Sequence, residues 1–269
     1  MTDRITNQKE PVAKEIPIYI RNPGKKSYQV LVRLKNVPGA LADAAAVIEK
    51  ASVNVLGGIV SASKDQGCWC FFGESSGDGP TAEELVAQLK RSRHVLDAEA
   101  KEDLEGFLVD TMTFPLKWNT GDRAILMRQQ YMVRMFDDIK KEFGSGGEVI
   151  LYREGFAYGR STWEGLEGEI GAEYVRSHFG EVLGIYQAAG WGRVEVVDHD
   201  FAGKRAKVRM YENFECEGHQ SDRPLSSFVR GHLAGAFSAL MDAESVSCEE
   251  TMCTAKGDGY CEFVLMEEA

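Results

Sequence analysis

The closing stretch of the chain constrains it most. Glu250-Thr251-Met252-Cys253 is followed by seven residues that contain Gly257-Asp258-Gly259, and then by Cys261-Glu262-Phe263. The flanks, Ser245 to Met252 and Tyr260 to Leu265, are short and rich in strand-forming residues. The segment therefore reads as a β-hairpin closed by a tight turn. A hairpin carries Cys253 and Cys261 to one place near the turn. Glu250, three residues upstream, reaches the same point if the strand twists or bulges there. Two thiols and a carboxylate in a small closed space suit Zn²⁺. The plainer alternative is a hairpin with two buried thiols acting as small hydrophobes.

The 269 residues fit one large or two ordinary domains, at about 100–200 residues each. With 43% hydrophobic residues the chain can bury a core, and a formal charge of −11 argues against a nucleic-acid partner, because such binding depends on Lys and Arg neutralising phosphate. No apolar run reaches the roughly 18–20 residues that cross a bilayer. Met1 to Lys14 has no apolar signal region. These features predict a cytoplasmic protein with no membrane partner. Six cysteines are too few for a disulfide framework, so the hairpin pair favours metal.

Residues 1–26 read as a flexible arm, with a short edge strand near Ile16 to Ile20. A strand at Tyr28–Leu34, a helix at Ala40–Ala51 and strands at Val53–Ser61 and Gly67–Gly73 follow. Thr81 caps a helix, with Glu84 as capping-box partner, and His94–Lys101 is a last strand. The order βαββαβ is a ferredoxin-like module over residues 27–103. With Lys35-Asn36-Val37-Pro38-Gly39-Ala40-Leu41 after its first strand, it resembles the ACT domain, a regulatory module that pairs side by side. The resemblance implies a homodimer and an amino acid bound near Asn36, Gly39 and Asn54. Gly39 would let a helix N-terminus approach a carboxylate; the alternative is that Pro38-Gly39 only shapes a turn.

Residues 107–269 form the second predicted domain, after an acidic junction at Glu102–Gly106. Its reading is a helix over Arg123–Phe143 capped by Asp122, with Ile125, Tyr131, Met132, Met135, Phe136 and Ile139 as its apolar stripe. Helices at about Val149–Glu164 and Leu166–Gln187 follow. Gly190-Trp191-Gly192 breaks the helical run before paired strands at Arg193–Val197 and Arg205–Tyr211. A helix over Leu225–Met241 contains Gly231 and Gly235, each costing about 1 kcal/mol of helix propensity, which implies close packing there. The fold class is α+β, an antiparallel sheet with packed helices.

The closing hairpin, together with Arg153-Glu154-Gly155-Phe156-Ala157-Tyr158-Gly159, Glu212-Asn213-Phe214-Glu215 and Gly231-His232-Leu233-Ala234-Gly235, resembles the V4R (4-vinyl reductase) domain. Such domains also form the effector-sensing part of aromatic-responsive activators, such as the phenol and xylene sensors. In those sensors the residues matching Glu250, Cys253 and Cys261 hold zinc with a third cysteine from a helix. That helical position is Ser226 here, a poor ligand, so Cys216 is taken as the fourth ligand with His219 as a further replacement. The resemblance also implies a small hydrophobic or aromatic ligand, with Met210, Phe228 and His232 at the pocket wall and Tyr211 beside them. His232 would either bond a phenol or carbonyl, or be satisfied by a core carbonyl. Trp163, His178 and Tyr186 are further candidates that the sequence does not place.

Nothing points to catalysis. Cys68 and Cys70 share a strand face with no basic neighbour to lower a thiol pKa, and no phosphate loop, dinucleotide fingerprint or nucleophile elbow is present. The expectation is a small-molecule-sensing regulatory protein that dimerises through its ACT-like part. An enzyme or accessory factor of tetrapyrrole metabolism and a purely structural zinc-stapled scaffold are the alternatives.

Overall fold

The computed structural model describes residues 12–118 and 121–268. The part of the predicted arm that falls on residues 1–11 lies outside them. The chain divides into two compact units, one ending at Ala124 and the other starting at Ile125.

The first unit contains strands β1 (Tyr19–Arg21) and β2 (Lys26–Lys35), helix α1 (Ala40–Lys50), strands β3 (Asn54–Ser63) and β4 (Gln66–Ser75), helix α2 (Ala82–Leu89), and strands β5 (Val95–Asp103) and β6 (Phe107–Val109). The antiparallel sheet has the order β3-β4-β2-β5, as the βαββαβ reading requires. Val30, Val32, Phe71 and Trp69 meet Ala44, Ile48, Leu85 and Leu89 of the two helices in one core. Thr81 and Glu84 form the expected capping box. The boundary differs from the expected one. Phe107–Val109 pairs with Tyr19–Arg21, so these residues complete the first unit instead of opening the second. The short edge strand expected near Ile16 to Ile20 forms at Tyr19–Arg21.

The second unit begins with α3 (Gln129–Phe143) and the long α4 (Ser145–Ile170). The helix expected from Arg123 starts six residues late. Asp122 gives its carbonyl to Trp118 N–H, and Ala124 N–H bonds Leu116, so this stretch is tied into a local turn. Of the expected stripe, Phe136 is buried and Met132 and Ile139 pack on the core, joined by Val133. Ile125, Tyr131 and Met135 are exposed, because the non-helical start shifts Ile125 off the face and the other two lie off the buried arc. The expected helix at Leu166–Gln187 is also broken: Gly171, at φ 91°, ends α4, and three short helices follow, α5 (Ala172–Ser177), α6 (Phe179–Val182) and α7 (Gly184–Ala188).

Strands β7 (Arg193–Asp200) and β8 (Arg205–Tyr211), helix α8 (Phe228–Leu240), and strands β9 (Val246–Met252) and β10 (Cys261–Glu267) complete the chain. The antiparallel sheet order is β7-β8-β10-β9. Helix α8 is buried almost throughout, with Val229, Leu233, Ala234 and Phe237 inaccessible, as the layer between α4 and the sheet. The two helices approach so closely that a Cβ added at Gly231 or Gly235 would lie 2.0 Å from the carbonyl oxygen of Tyr152 or Phe156. Added at Gly155 or Gly159 of α4, it would lie 2.2 Å from the Phe228 oxygen or 2.1 Å from that of His232. Among the described residues no helix is long and apolar enough to cross a membrane.

Candidate metal centre and aromatic cage

The four residues expected around a metal come together. One ligating atom from each of Cys216, Glu250, Cys253 and Cys261 lies within 4.8 Å of the others, and all four residues are buried. The hairpin provides three of them. Pleat alternation alone would send Glu250 and Cys253 to opposite faces, but the β9–β10 register slips by one residue here, with Glu262 opposite Met252 and Phe263 opposite Glu250. The extra residue, Thr251, restores both side chains to the inner face. Beyond β9, Asp258 accepts a 2.8 Å hydrogen bond from the Cys253 amide, and Gly257 takes the left-handed φ of 96° that the turn needs.

Cys216 supplies the third sulfur from the turn after β8. Its Sγ lies 3.6 Å from Cys253 Sγ and 3.7 Å from Cys261 Sγ. Three thiolates on a tetrahedral zinc, with Zn–S bonds of about 2.3 Å, sit about 3.8 Å apart. The donor set and spacing therefore fit Zn²⁺. Ser226 is outside the set: its amide and hydroxyl each donate a 2.9 Å bond to Glu250. His219 is also outside, bonded to Asp137 at 3.1 Å. Asn213 completes the surround by donating to Ser226 Oγ at 2.9 Å and to the sulfurs of Cys216 and Cys261 at 3.5 Å.

The electrostatics show what a cation would relieve. Hydrogen bonds from Cys216 and then Cys261 pull Cys253 far below the usual thiol range, and Cys216 is raised chiefly because its proton is held by Cys253. The Cys216 bond pulls Cys261 down, but its own bond to Cys253 and burial push it up to about 12. Burial, then the charge on Cys253, raises Glu250 to about 8. Without a cation the cluster favours a single negative charge; a bound dication stabilises all four ionised donors.

One turn into α8 the setting becomes aromatic. His232 is 4% exposed, and its Nδ1 lies 2.9 Å from the Tyr186 hydroxyl. That hydroxyl is also bonded by Trp163. An indole N–H only donates, so Tyr186 accepts from Trp163 and shares its other bond with His232 Nδ1. Burial lowers His232 to about 3 and raises Tyr186, so both are neutral over the ordinary pH range. The rings of Trp191, Tyr158 and Tyr186 stand edgewise to the imidazole at 4.7, 5.2 and 5.4 Å. The imidazole is thus satisfied by a tyrosine hydroxyl and not by a core carbonyl.

Of the other expected ligand residues, Phe228 and Met210 are buried in this core. Tyr211 is not at the cage. Next to Met210 on β8, it points to the opposite sheet face, where it bonds Glu195 at 2.9 Å and packs on Tyr260. Trp163 and Tyr186 reach the cage, whereas His178 stacks on Tyr174 outside it. In the first unit Asn36 bonds the Lys64 carbonyl at 2.8 Å, beside the β3–β4 turn, and Gly39 starts α1 at φ 87°. Asn54 faces Glu74 at the far end of β3, about 30 Å away along a strand rising about 3.3 Å per residue. Within one chain those three make no common site. Cys70 is buried and raised to about 11 by burial, which fits the structural role expected of it.

Sequence reading passed over Trp191 as a helix breaker and assigned no role to Glu215. The Glu215 carboxylate accepts from the amides of Ser227, Phe228 and Val229 at 2.7, 3.2 and 2.9 Å, capping α8, and Lys140 neutralises it at 3.2 Å. Its only sequence signal is its place beside Asn213 in the Glu-Asn-Phe-Glu motif. For Trp191 the available signal is a large aromatic held between two glycines.

The V4R domain family model matches residues 206–267. No curated protein matches the chain. Among solved structures the chain is similar to the phenol-responsive sensory domain of the transcription activator PoxR with phenol, at 21% identity over 56% of this chain and 79% of that one, TM-score 0.47. It is also similar to a vinyl-4-reductase family protein from Methanocaldococcus jannaschii, at 16% identity over 54% of this chain and 85% of that one, TM-score 0.37. The chain is similar as well to the ACT domain from GTP pyrophosphokinase of Chlorobium tepidum, at 15% identity over 29% of this chain and 99% of that one, TM-score 0.24.

Proposed function

We propose that residues 125–269 form a sensing module for a small neutral aromatic molecule, stapled by a zinc ion, and that the ACT-like unit pairs two chains. One observation carries the sensing part: a buried, neutral imidazole, hydrogen-bonded at Nδ1 and edged by aromatic rings. Rings supply non-directional burial and edge-to-face contacts. With its proton on Nε2, the imidazole supplies one donor for a phenol or carbonyl oxygen. A charged ligand is disfavoured, because its unpaired charge would be buried.

Cys216, Glu250, Cys253 and Cys261 would hold the zinc, whose part is structural: with four protein donors no position is left open for chemistry. Helix α8 joins the two features. Its N-terminus meets the cluster through Ser226 and Glu215, and His232 lies one turn further on. A ligand that shifts α8 alters the relation of sheet to α4, which is a route for signalling if the two positions bind ligand differently.

Native mass spectrometry of the gently purified full chain tests this reading. The expected result is a small neutral aromatic adduct, or uptake of added phenol, that is lost in Tyr186→Phe. A co-purifying chromophore would instead favour the tetrapyrrole role. No adduct and no thermal shift with phenol would favour a plain scaffold.

A further inference from the structure

The centre of the cage is occupied by the chain itself. Five rings surround the Trp191 indole, with centroid distances of 4.7 Å to His232, 5.3 Å to Phe214, 5.8 Å to Tyr186 and Phe228, and 6.0 Å to Tyr158. These are the separations at which aromatic pairs attract. Most of the walls are fixed: Tyr186, Phe214, Phe228 and His232 are all buried, on three separate segments of the unit. Tyr158 is the exception. It is 52% exposed, so the cage reaches solvent on that side.

The attachment of Trp191 differs from that of the walls. It sits between Gly190 and Gly192, which take φ values of 82° and 152°, in the turn between α7 and β7. Its backbone is tied at both ends, N–H to the Tyr186 carbonyl and C=O to the Phe214 amide, each at 2.9 Å. The backbone of the turn is therefore anchored independently of the side chain. Leaving chain neighbours aside, a Cβ placed at Gly190 would meet nothing within 4 Å, whereas one at Gly192 would lie 2.8 Å from Met210 Cγ, so the turn is open on its Gly190 side and packed on its Gly192 side.

We infer that Trp191 is a built-in surrogate for the ligand: its indole fills the recognition slot beside His232 and swings out past Tyr158 when a planar, neutral aromatic of similar size takes its place. This rests on the aromatic-sensing reading and adds to it the size of the ligand, up to a two-ring heteroaromatic, and the residue that moves. A side chain that competes for the slot lowers the apparent affinity by the fraction of time the slot is free. It also sets a threshold, since a ligand must be planar, neutral and no larger than the indole it displaces.

The test uses the full chain and free indole as probe. Wild type and Trp191→Ala, each confirmed folded by circular dichroism, are titrated calorimetrically. With the slot filled nine-tenths of the time or more, the variant binds one indole about tenfold tighter or better than wild type. Trp191→Phe, whose ring fills the slot less completely, falls between them and stands in if the alanine variant does not fold. In wild type, saturating phenol makes one more tryptophan accessible to acrylamide quenching, a change missing from Trp191→Phe. Equal or weaker binding by the variants would make Trp191 a wall and overturn the surrogate, while leaving the sensing reading in place. Phenol bound by wild type without added quenching overturns it too, because an indole that never leaves is core packing. No binding of either probe to any of the proteins removes the sensing reading as well.

Discussion

Replacing Gly235 by alanine probes the contact on which the second unit is built. The added Cβ would lie 2.0 Å from the Phe156 carbonyl oxygen and 2.8 Å from the Arg160 amide nitrogen, both backbone atoms of α4. Ordinary non-bonded separations are about 3.5 Å, so the helices must part by more than about 1 Å. Helix α8 cannot retreat, since its other side packs on the sheet. Forcing a methyl group into such a contact costs typically 1–3 kcal/mol, and more where backbone must move. Alanine returns about 0.8–1 kcal/mol of helix propensity. The net expectation is destabilisation by about 2 kcal/mol. Gly165, on the same α4, is the internal control: a Cβ there meets nothing within 4 Å, so Gly165→Ala should gain up to about 1 kcal/mol. Urea unfolding followed by circular dichroism measures both. A Gly235→Ala protein as stable as wild type would mean that α4 and α8 are not in close contact, and the alignment of Tyr158 on α4 with His232 on α8 would lose its basis.

Two further outcomes are expected. His232 is held at about 3 in the folded protein by burial, against about 6.5 in the unfolded chain. Its neutral form therefore favours folding above pH 6.5, and that contribution drains away as pH falls from 6.5 toward 3, by about 2 kcal/mol at pH 5; unfolding titrations at pH 7 and pH 5 should show a smaller loss in His232→Phe than in wild type. Purified protein should carry about one zinc per chain, retained by Cys248→Ser but lost, with a lower melting temperature, by Cys216→Ser; less than about a tenth of an equivalent in wild type would end the metal proposal.

Periodic and local features were legible in the sequence. The βαββαβ order, the Thr81–Glu84 capping box and the closing hairpin follow from residue spacing within about ten positions. Gly231 and Gly235 announced their close contact because glycine in a helix has a cost that something must offset. What was not legible depended on partners far away in the chain. Glu215 caps a helix that begins thirteen residues later, outside any local capping rule. The choice of Cys216 over His219 is made by a turn folding under the hairpin, and the sequence offered both. Residues 107–109 belong to the first unit only because they pair with Tyr19–Arg21. The role of Trp191 requires five rings from four other segments, none of which has a periodic signature. Tyr211 was misplaced for a simpler reason: adjacent residues of a strand face opposite ways, so it could not share a wall with Met210.

The most direct test of the account is a calorimetric comparison of phenol with benzoate, two probes of similar size that differ in charge. The neutral His232–Tyr186 pair predicts one phenol bound per chain, with benzoate weaker by a hundredfold or more, because burying an unpaired carboxylate costs about 3 kcal/mol or more. Benzoate binding as tightly as phenol, or neither probe binding to the folded chain, would contradict it.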